Sequence, residues 1–259
     1  MNTKQQKMEA FGRLLDVMDE LREKCPWDRI QTMESLRNLT IEETYELADA
    51  ILENNLEEVR KELGDIILHI VFYAKIASEE GLFDIADVLD GINKKLVYRH
   101  PHVFGNRKVK DAGEVIENWE EIKMTEGNKR VLSGVPVSLP AMIKAHRIQD
   151  KVRAVGFDWD NRDDVWEKVR EELNEVRTEI LNNRREQLES EFGDLLFSII
   201  NAARLYQIEP ETALEKTNKK FIRRFNYLED KARESGLNIK DLEIGEMEAL
   251  WDEAKSELK

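Results

Sequence analysis

Cysteine is almost missing from this chain of 259 residues; Cys25 is the only one. An intramolecular disulfide is excluded, and the composition suits a reducing compartment. Glycine (12) and proline (5) are scarce, which leaves few turns and favours long helices. Base is short against acid: Lys and Arg number 40, Asp and Glu 54, for a net charge of −14. Such a chain is a poor ligand for nucleic acid, because that affinity comes from Lys and Arg on backbone phosphates. Long apolar runs are lacking too. The longest, residues 66–74 and 195–203, fall well short of the ~20 residues that span a bilayer. The opening stretch MNTKQQKMEAFGRLLD has no apolar core of signal-peptide length. A soluble, cytoplasmic protein with neither a membrane nor a nucleic-acid partner is expected.

Other absences narrow the chemistry. No β-branched run alternates with period two, and no hairpin turn is signalled. There is no G-x-x-x-x-G-K-[ST] phosphate loop, no G-x-S-x-G elbow and no Cys–His pairing. His100 and His102 lack a third His or Cys at zinc-ligand spacing.

What is present is helical. Phe11, Leu14, Leu15, Met18 and Leu21 recur at helical spacing over residues 5–24. Pro26 breaks that helix, and Asp28 or Thr32 is placed to cap the next, to about residue 53. Asn54-Asn55 marks a turn into a helix over 56–78, which is apolar on most faces after Asp65. Asp84 is placed to cap a helix over 85–97, and another is expected over 113–125. Residues 126–140, with Gly127, Gly134, Pro136 and Pro140, read as a linker. Further helices are expected over 141–154, after a cap at Asp163 or Asp164, and over 186–206. The reading is all-α: two tandem helical-bundle domains, 1–125 and 141–259, joined by 126–140.

Acid gathers at two places on this framework. Glu171, Glu172 and Glu175 are followed after fifteen residues by Glu191 and Asp194. Residues three or four apart share a helix face, so like charges crowd and raise one another's pKa unless a cation intervenes. A hard divalent cation prefers such oxygen ligands. A solvated acidic face would look similar, but the pattern recurs: Glu42, Glu43 and Glu46 precede Glu62 and Asp65 at the same spacing. Other features recur in the same order. Gly156-Phe157-Asp158-Trp159-Asp160 answers Cys25-Pro26-Trp27-Asp28, and Gly193 answers Gly64. Lys220 and Arg224 answer Lys95 and Arg99, and Trp251 and Lys255 answer Trp119 and Lys123. The two helix glycines suggest close approach of a neighbouring helix or ligand.

Carboxylates for a metal and Lys and Arg for phosphate describe a site for a metal–polyphosphate complex. With no side-chain nucleophile evident, water activated by the metal is the remaining attacking group, and Glu172 or Glu175 can orient or deprotonate it. Trp251 reads as base-stacking or core.

The doubled E-E-x-x-E/E-x-x-D, with Leu21-Arg22-Glu23-Lys24-Cys25-Pro26-Trp27-Asp28, Gln31-Thr32 and Arg99-His100-Pro101-His102-Val103-Phe104-Gly105, resembles the MazG family of tandem-domain nucleoside triphosphate pyrophosphohydrolases over nearly the whole chain. The carboxylate motif alone is shared by the wider all-α pyrophosphohydrolases. The resemblance implies Mg²⁺-dependent hydrolysis of NTPs or dNTPs to NMP and diphosphate, with Mn²⁺ able to substitute. It also implies a homodimer, and a role in cleaning the nucleotide pool with a link to the starvation response. It places Glu171, Glu172, Glu175, Glu191 and Asp194 around metal, Lys168, Lys220 and Arg224 on phosphate, and Trp251 and Lys255 on the nucleotide. A second, weaker site would comprise Glu42, Glu43, Glu46, Glu62, Asp65, Lys95, Arg99, Trp119 and Lys123. Leu39 stands where the second copy has Lys168, so the main activity is expected in the second copy. Two other readings remain at this point: a non-catalytic helical protein that binds cations or a partner, and a pyrophosphatase restricted to dUTP or dCTP.

Overall fold

A computed structural model describes residues 1–125, 130–159 and 161–258; Gly127 of the expected linker and Asp160 of the repeated Trp-Asp motif lie outside the described residues. The described residues form helices and no strand. They divide into two compact units, Met1–Lys110 and Asp111–Lys259.

The first unit contains α1 (Lys4–Lys24), α2 (Pro26–Arg29), α3 (Met33–Leu52), α4 (Leu56–Glu79), α5 (Ile85–Arg99) and α6 (Pro101–Phe104). Thr32, not Asp28, caps α3: its hydroxyl accepts from the Ser35 N–H while Ser35 reaches back to the Thr32 N–H. Asp84 caps α5 in the same reciprocal way. α3 and α4 form an antiparallel hairpin whose turn puts Asn54 at φ 54°, a left-handed conformation that Asn tolerates. Met18, Leu36, Val71, Phe72 and Ile76 make the sealed core, with Leu39 and Leu68 packed against it.

The second unit contains α7 (Ala112–Thr125), a 3-10 turn at Val131–Gly134, α8 (Ala141–Arg153), α9 (Arg162–Asn182), α10 (Arg185–Leu205), α11 (Pro210–Glu234), a 3-10 turn at Ile239–Asp241 and α12 (Ile244–Glu257). The α9–α10 hairpin repeats the first, with Asn183 at φ 53°. Asn161 caps α9 by accepting from the Asp163 N–H at 3.0 Å. Asp163 and Asp164, both expected as caps, lie instead in the first turn, where a carboxylate favours the helix N-terminus.

The two compact units divide at 110/111, which puts α7, with Trp119 and Lys123, in the second. The turn-rich stretch ends a helix, and its 3-10 turn packs on α8; glycine and proline mark where helix stops, not where packing does. And a Cβ built at Gly64 or Gly193 would meet nothing within 4 Å, so the described residues of this chain supply no close approach there.

Candidate active site

Each hairpin brings three carboxylates together. In the second unit Glu172 and Glu175 on α9 and Glu191 on α10 each offer an oxygen within 4.8 Å of the other two; in the first, Glu43, Glu46 and Glu62 do the same. The hairpin explains this, since a left-handed Asn turn folds α10 back along α9 and α4 back along α3. Glu172 and Glu62 are buried, Glu175 and Glu46 exposed. Burial, then the charges of Glu172 and Glu191, pushes the Glu175 carboxyl up; burial, then Asp65, Glu46 and Glu62, does the same at Glu43. One Glu62 oxygen is buried with no partner. Three crowded carboxylates, one with an orphaned buried oxygen, are the donor set of a hard divalent cation.

The remaining predicted acids sit around these trios. Glu171 is exposed and held at 2.9 Å by Lys168, which also reaches Glu172 at 2.8 Å. Both contacts raise the Lys168 pKa, that to Glu171 most. Asp194 stands outside the trio but lines a cavity with Lys168 and Glu172. Glu42 and Asp65 are likewise outside the first trio.

The predicted basic and aromatic residues form a separate group on α11 and α12. Lys220 is exposed, and Arg224 is half-buried with its Nε buried and unpartnered. Trp251 packs on Phe221 at 5.0 Å between ring centroids, and Lys255 turns to Asp252 at 2.7 Å. None of the four lines the cavity. In the first unit Lys95 is exposed and Arg99 half-buried; Trp119 and Lys123 are half-buried on α7. His100 Nδ1 donates to the Leu96 carbonyl (2.6 Å), and neither it nor His102 joins a three-ligand cluster among the described residues.

The cavity beside the second trio has a volume of about 340 Å³. Its apolar wall includes Val152, Val165 and Phe197, and Phe157 and Trp159 stand exposed at its edge. Those two follow a helix end in which the Phe157 N–H reaches the Val152 carbonyl and the Gly156 N–H that of Arg153. Gly156 takes φ 84° there, a conformation glycine adopts without strain. Arg204 on α10 clamps the segment through both Asp158 oxygens, at 2.5 and 3.1 Å. Gln149, Ser198 and Asn201 are buried polar residues of the same wall. The carboxylate motif gave no sign of them; a position-by-position comparison of the two copies would have, since Asn201 stands where the first copy has Phe72.

Comparison with known proteins bears on the same two places. The model of the MazG nucleotide pyrophosphohydrolase domain matches residues 31–104 and again 162–228, each match spanning one carboxylate hairpin. A Thermotoga maritima protein named nucleoside triphosphate pyrophosphohydrolase/pyrophosphatase MazG is 44% identical over 251 residues, covering 95% of both chains. The Escherichia coli K12 nucleoside triphosphate pyrophosphohydrolase is 41% identical over 257 residues, 96% of this chain and 98% of that one. A solved mazG-related protein from Thermotoga maritima aligns at a TM-score of 0.39 and 28% identity, covering 43% of this chain and 97% of its own. With one domain match on each hairpin and relatives aligned almost end to end, the chain belongs to the MazG family.

Proposed function

We propose that the second unit hydrolyses nucleoside triphosphates to the monophosphate and diphosphate. The chain is a nucleoside triphosphate pyrophosphohydrolase, and the observation that supports the placement is a carboxylate trio of which Glu172 lines a cavity together with Lys168 and Asp194. Glu172, Glu175 and Glu191, with Asp194 nearby, are the residues that would hold Mg²⁺, or Mn²⁺ in its place. When bound, the cation neutralises phosphate charge and acidifies water.

The chain's own groups then divide the work. Lys168 already bridges Glu171 and Glu172, and its ammonium can turn to an incoming phosphate. Arg224 and Lys220 carry further positive charge on α11, where a bidentate guanidinium suits phosphate. Trp251 and Lys255 on α12 are offered to the nucleotide. Glu175 is the proton acceptor: it is the exposed member of the trio. Water oxygen bonds to the α-phosphorus, the bond from that phosphorus to the bridging oxygen breaks, and diphosphate leaves with the electron pair while Glu175 takes the proton.

The assembly proposed is a homodimer. The support is apolar surface left bare: α5 buries none of its residues and exposes Val88, Leu89, Ile92, Leu96, Val97 and Tyr98. Sedimentation equilibrium returning the monomer mass would refute it. No described helix is long and apolar enough to cross a membrane. With a net charge of −14, that supports a cytoplasmic enzyme of small nucleotides.

The test is direct. Incubation with each NTP and dNTP and Mg²⁺ should yield monophosphate and diphosphate in equal amounts, abolished by Glu172→Ala. Orthophosphate as product would overturn the reaction assignment, and no product with any nucleotide would favour a non-catalytic cation-binding protein. A strong preference for dUTP or dCTP would favour the restricted pyrophosphatase.

A further inference from the structure

We propose that the first carboxylate trio, Glu43, Glu46 and Glu62, takes up a free divalent cation without nucleotide and holds it as a structural ion between α3 and α4. The second trio takes its cation only together with a nucleotide. Ion uptake by the first unit is measured with no nucleotide present, so it stands or falls apart from the hydrolase reading above.

The residue one helical turn before the trio separates the two copies. It is Leu39 before Glu43 and Lys168 before Glu172. Lys168 sits on its own trio, with Nζ 2.8 Å from Glu172 and 2.9 Å from Glu171. That ammonium already neutralises the charge a cation would meet, and it must be displaced before the cation binds. Leu39 packs against the core of its unit and brings no charge. The lysine on the first trio is Lys61, which holds one Glu62 oxygen at 2.9 Å from a side chain 61% exposed, where water screens the pair. Glu62 itself is 2% exposed, and its Oε2 is buried with no partner. A carboxylate sealed beside two others, with an oxygen unused, is costly unless a cation completes it.

The donors are all carboxylate oxygens, which selects a hard cation such as Mg²⁺. Glu46 is exposed and Glu43 half-buried, so water can complete the coordination on the open side, as Mg²⁺ prefers. Glu43 and Glu46 lie on α3 and Glu62 on α4. An ion shared by the three ties the two helices of the hairpin, and because it binds the folded hairpin alone it stabilises it. In the second unit the phosphates of a nucleotide offer Lys168 another partner and bring oxygen ligands of their own. The same carboxylate geometry thus serves a resident ion in one copy and an ion that arrives with substrate in the other.

The experiment titrates Mn²⁺, with Mg²⁺ as competitor, into the nucleotide-free full chain and reads the free Mn²⁺ by electron paramagnetic resonance. One site per chain should stand above the weak binding of exposed acids. Glu46→Gln, at an exposed position, keeps size and removes one charge. It should weaken that site by at least about tenfold, the lower end of what even an outer-shell partner is worth. Glu175→Gln, the matching change in the second trio, should leave the site unchanged. Lys168→Leu, which gives the second unit the first unit's residue, should add a second site. Mg²⁺ should raise the melting temperature of the unaltered chain and of Glu175→Gln, but not that of Glu46→Gln. No site above the weak background in the unaltered chain would overturn the proposal. So would a site lost in Glu175→Gln and kept in Glu46→Gln, since the free ion would then belong to the second copy. A Lys168→Leu chain that gains no site would overturn the lysine's part in the contrast.

Discussion

The two carboxylate hairpins share their ligands and differ in what lies behind them. Counting four residues on from Asp65 and Asp194 gives His69 and Ser198, seven gives Phe72 and Asn201, and ten gives Lys75 and Arg204. Four residues before Glu43 and Glu172 stand Leu39 and Lys168. In the first unit Phe72 is 3% exposed and closes a core with Met18 and Leu36, against which Leu39 packs. In the second unit the corresponding positions line an open cavity. The lesson is that the carboxylate trio comes with the hairpin itself, whereas the cavity beside it goes with core side chains exchanged for polar ones. In the first copy Phe72 and Leu39 pack in the core, and in the second Asn201 and Lys168 line a cavity of about 340 Å³.

The largest effect that distinguishes the copies should come from paired carboxylate substitutions. Glu175→Gln or Glu172→Gln removes a group from the second trio and should lower kcat by about 10²–10⁴-fold, the range for losing a positioned acid or base. Glu46→Gln or Glu43→Gln should leave diphosphate release within about twofold. Helical content by circular dichroism should hold in all four. Comparable losses from the first-unit pair would break the comparison, since both copies would then be catalytic.

Stability should show the reverse asymmetry. Phe72→Ala empties a sealed core and should cost about 3–5 kcal/mol in urea unfolding. Asn201→Ala sits in a wall already facing open space and should cost about 1 kcal/mol, the worth of its bond to Arg204. Equal costs would mean that the cavity of the second unit is closed in solution.

Much of this was legible in the sequence. The all-α class, the hairpins and the doubled carboxylate pattern follow from helical spacing, and spacing is a property of the chain alone. So were Lys168 and Leu39 as the telling difference. The cavity was not, because Gln149 on α8 and Asn201 on α10 are brought together only by packing, and a single polar residue in an amphipathic helix carries no mark of the wall it will join. The cap of α9 was misplaced for a similar reason: Asn161, Asp163 and Asp164 are all competent caps, and the backbone entry angle decides among them.

The smallest test concerns how each unit ties down its Trp-Asp segment. In the second unit Arg204 reaches Asp158 from α10. In the first the arginine comes from α1: Arg22 donates to the carbonyls of Asp28 and Gln31 and to Glu79 on α4, the last at 2.5 Å. The Arg22 hydrogen bond holds the Glu79 carboxyl below its ordinary range, partly opposed by burial. A carboxyl depressed in the folded state contributes stability above its unfolded pKa and loses it as pH falls through the folded value. Glu79 is 36% exposed on its side chain, so solvent screening trims the contribution to about 1 kcal/mol. Glu79→Gln should therefore destabilise the chain by that amount at pH 7, with the difference from the unaltered chain shrinking toward zero as pH falls below the ordinary carboxylate range. Turnover at pH 7 should not change, because the pair lies outside the unit proposed to carry the reaction. A stability difference independent of pH would show that Glu79 acts through packing rather than charge, and a fall in turnover would show that the first unit contributes to the second unit's chemistry after all.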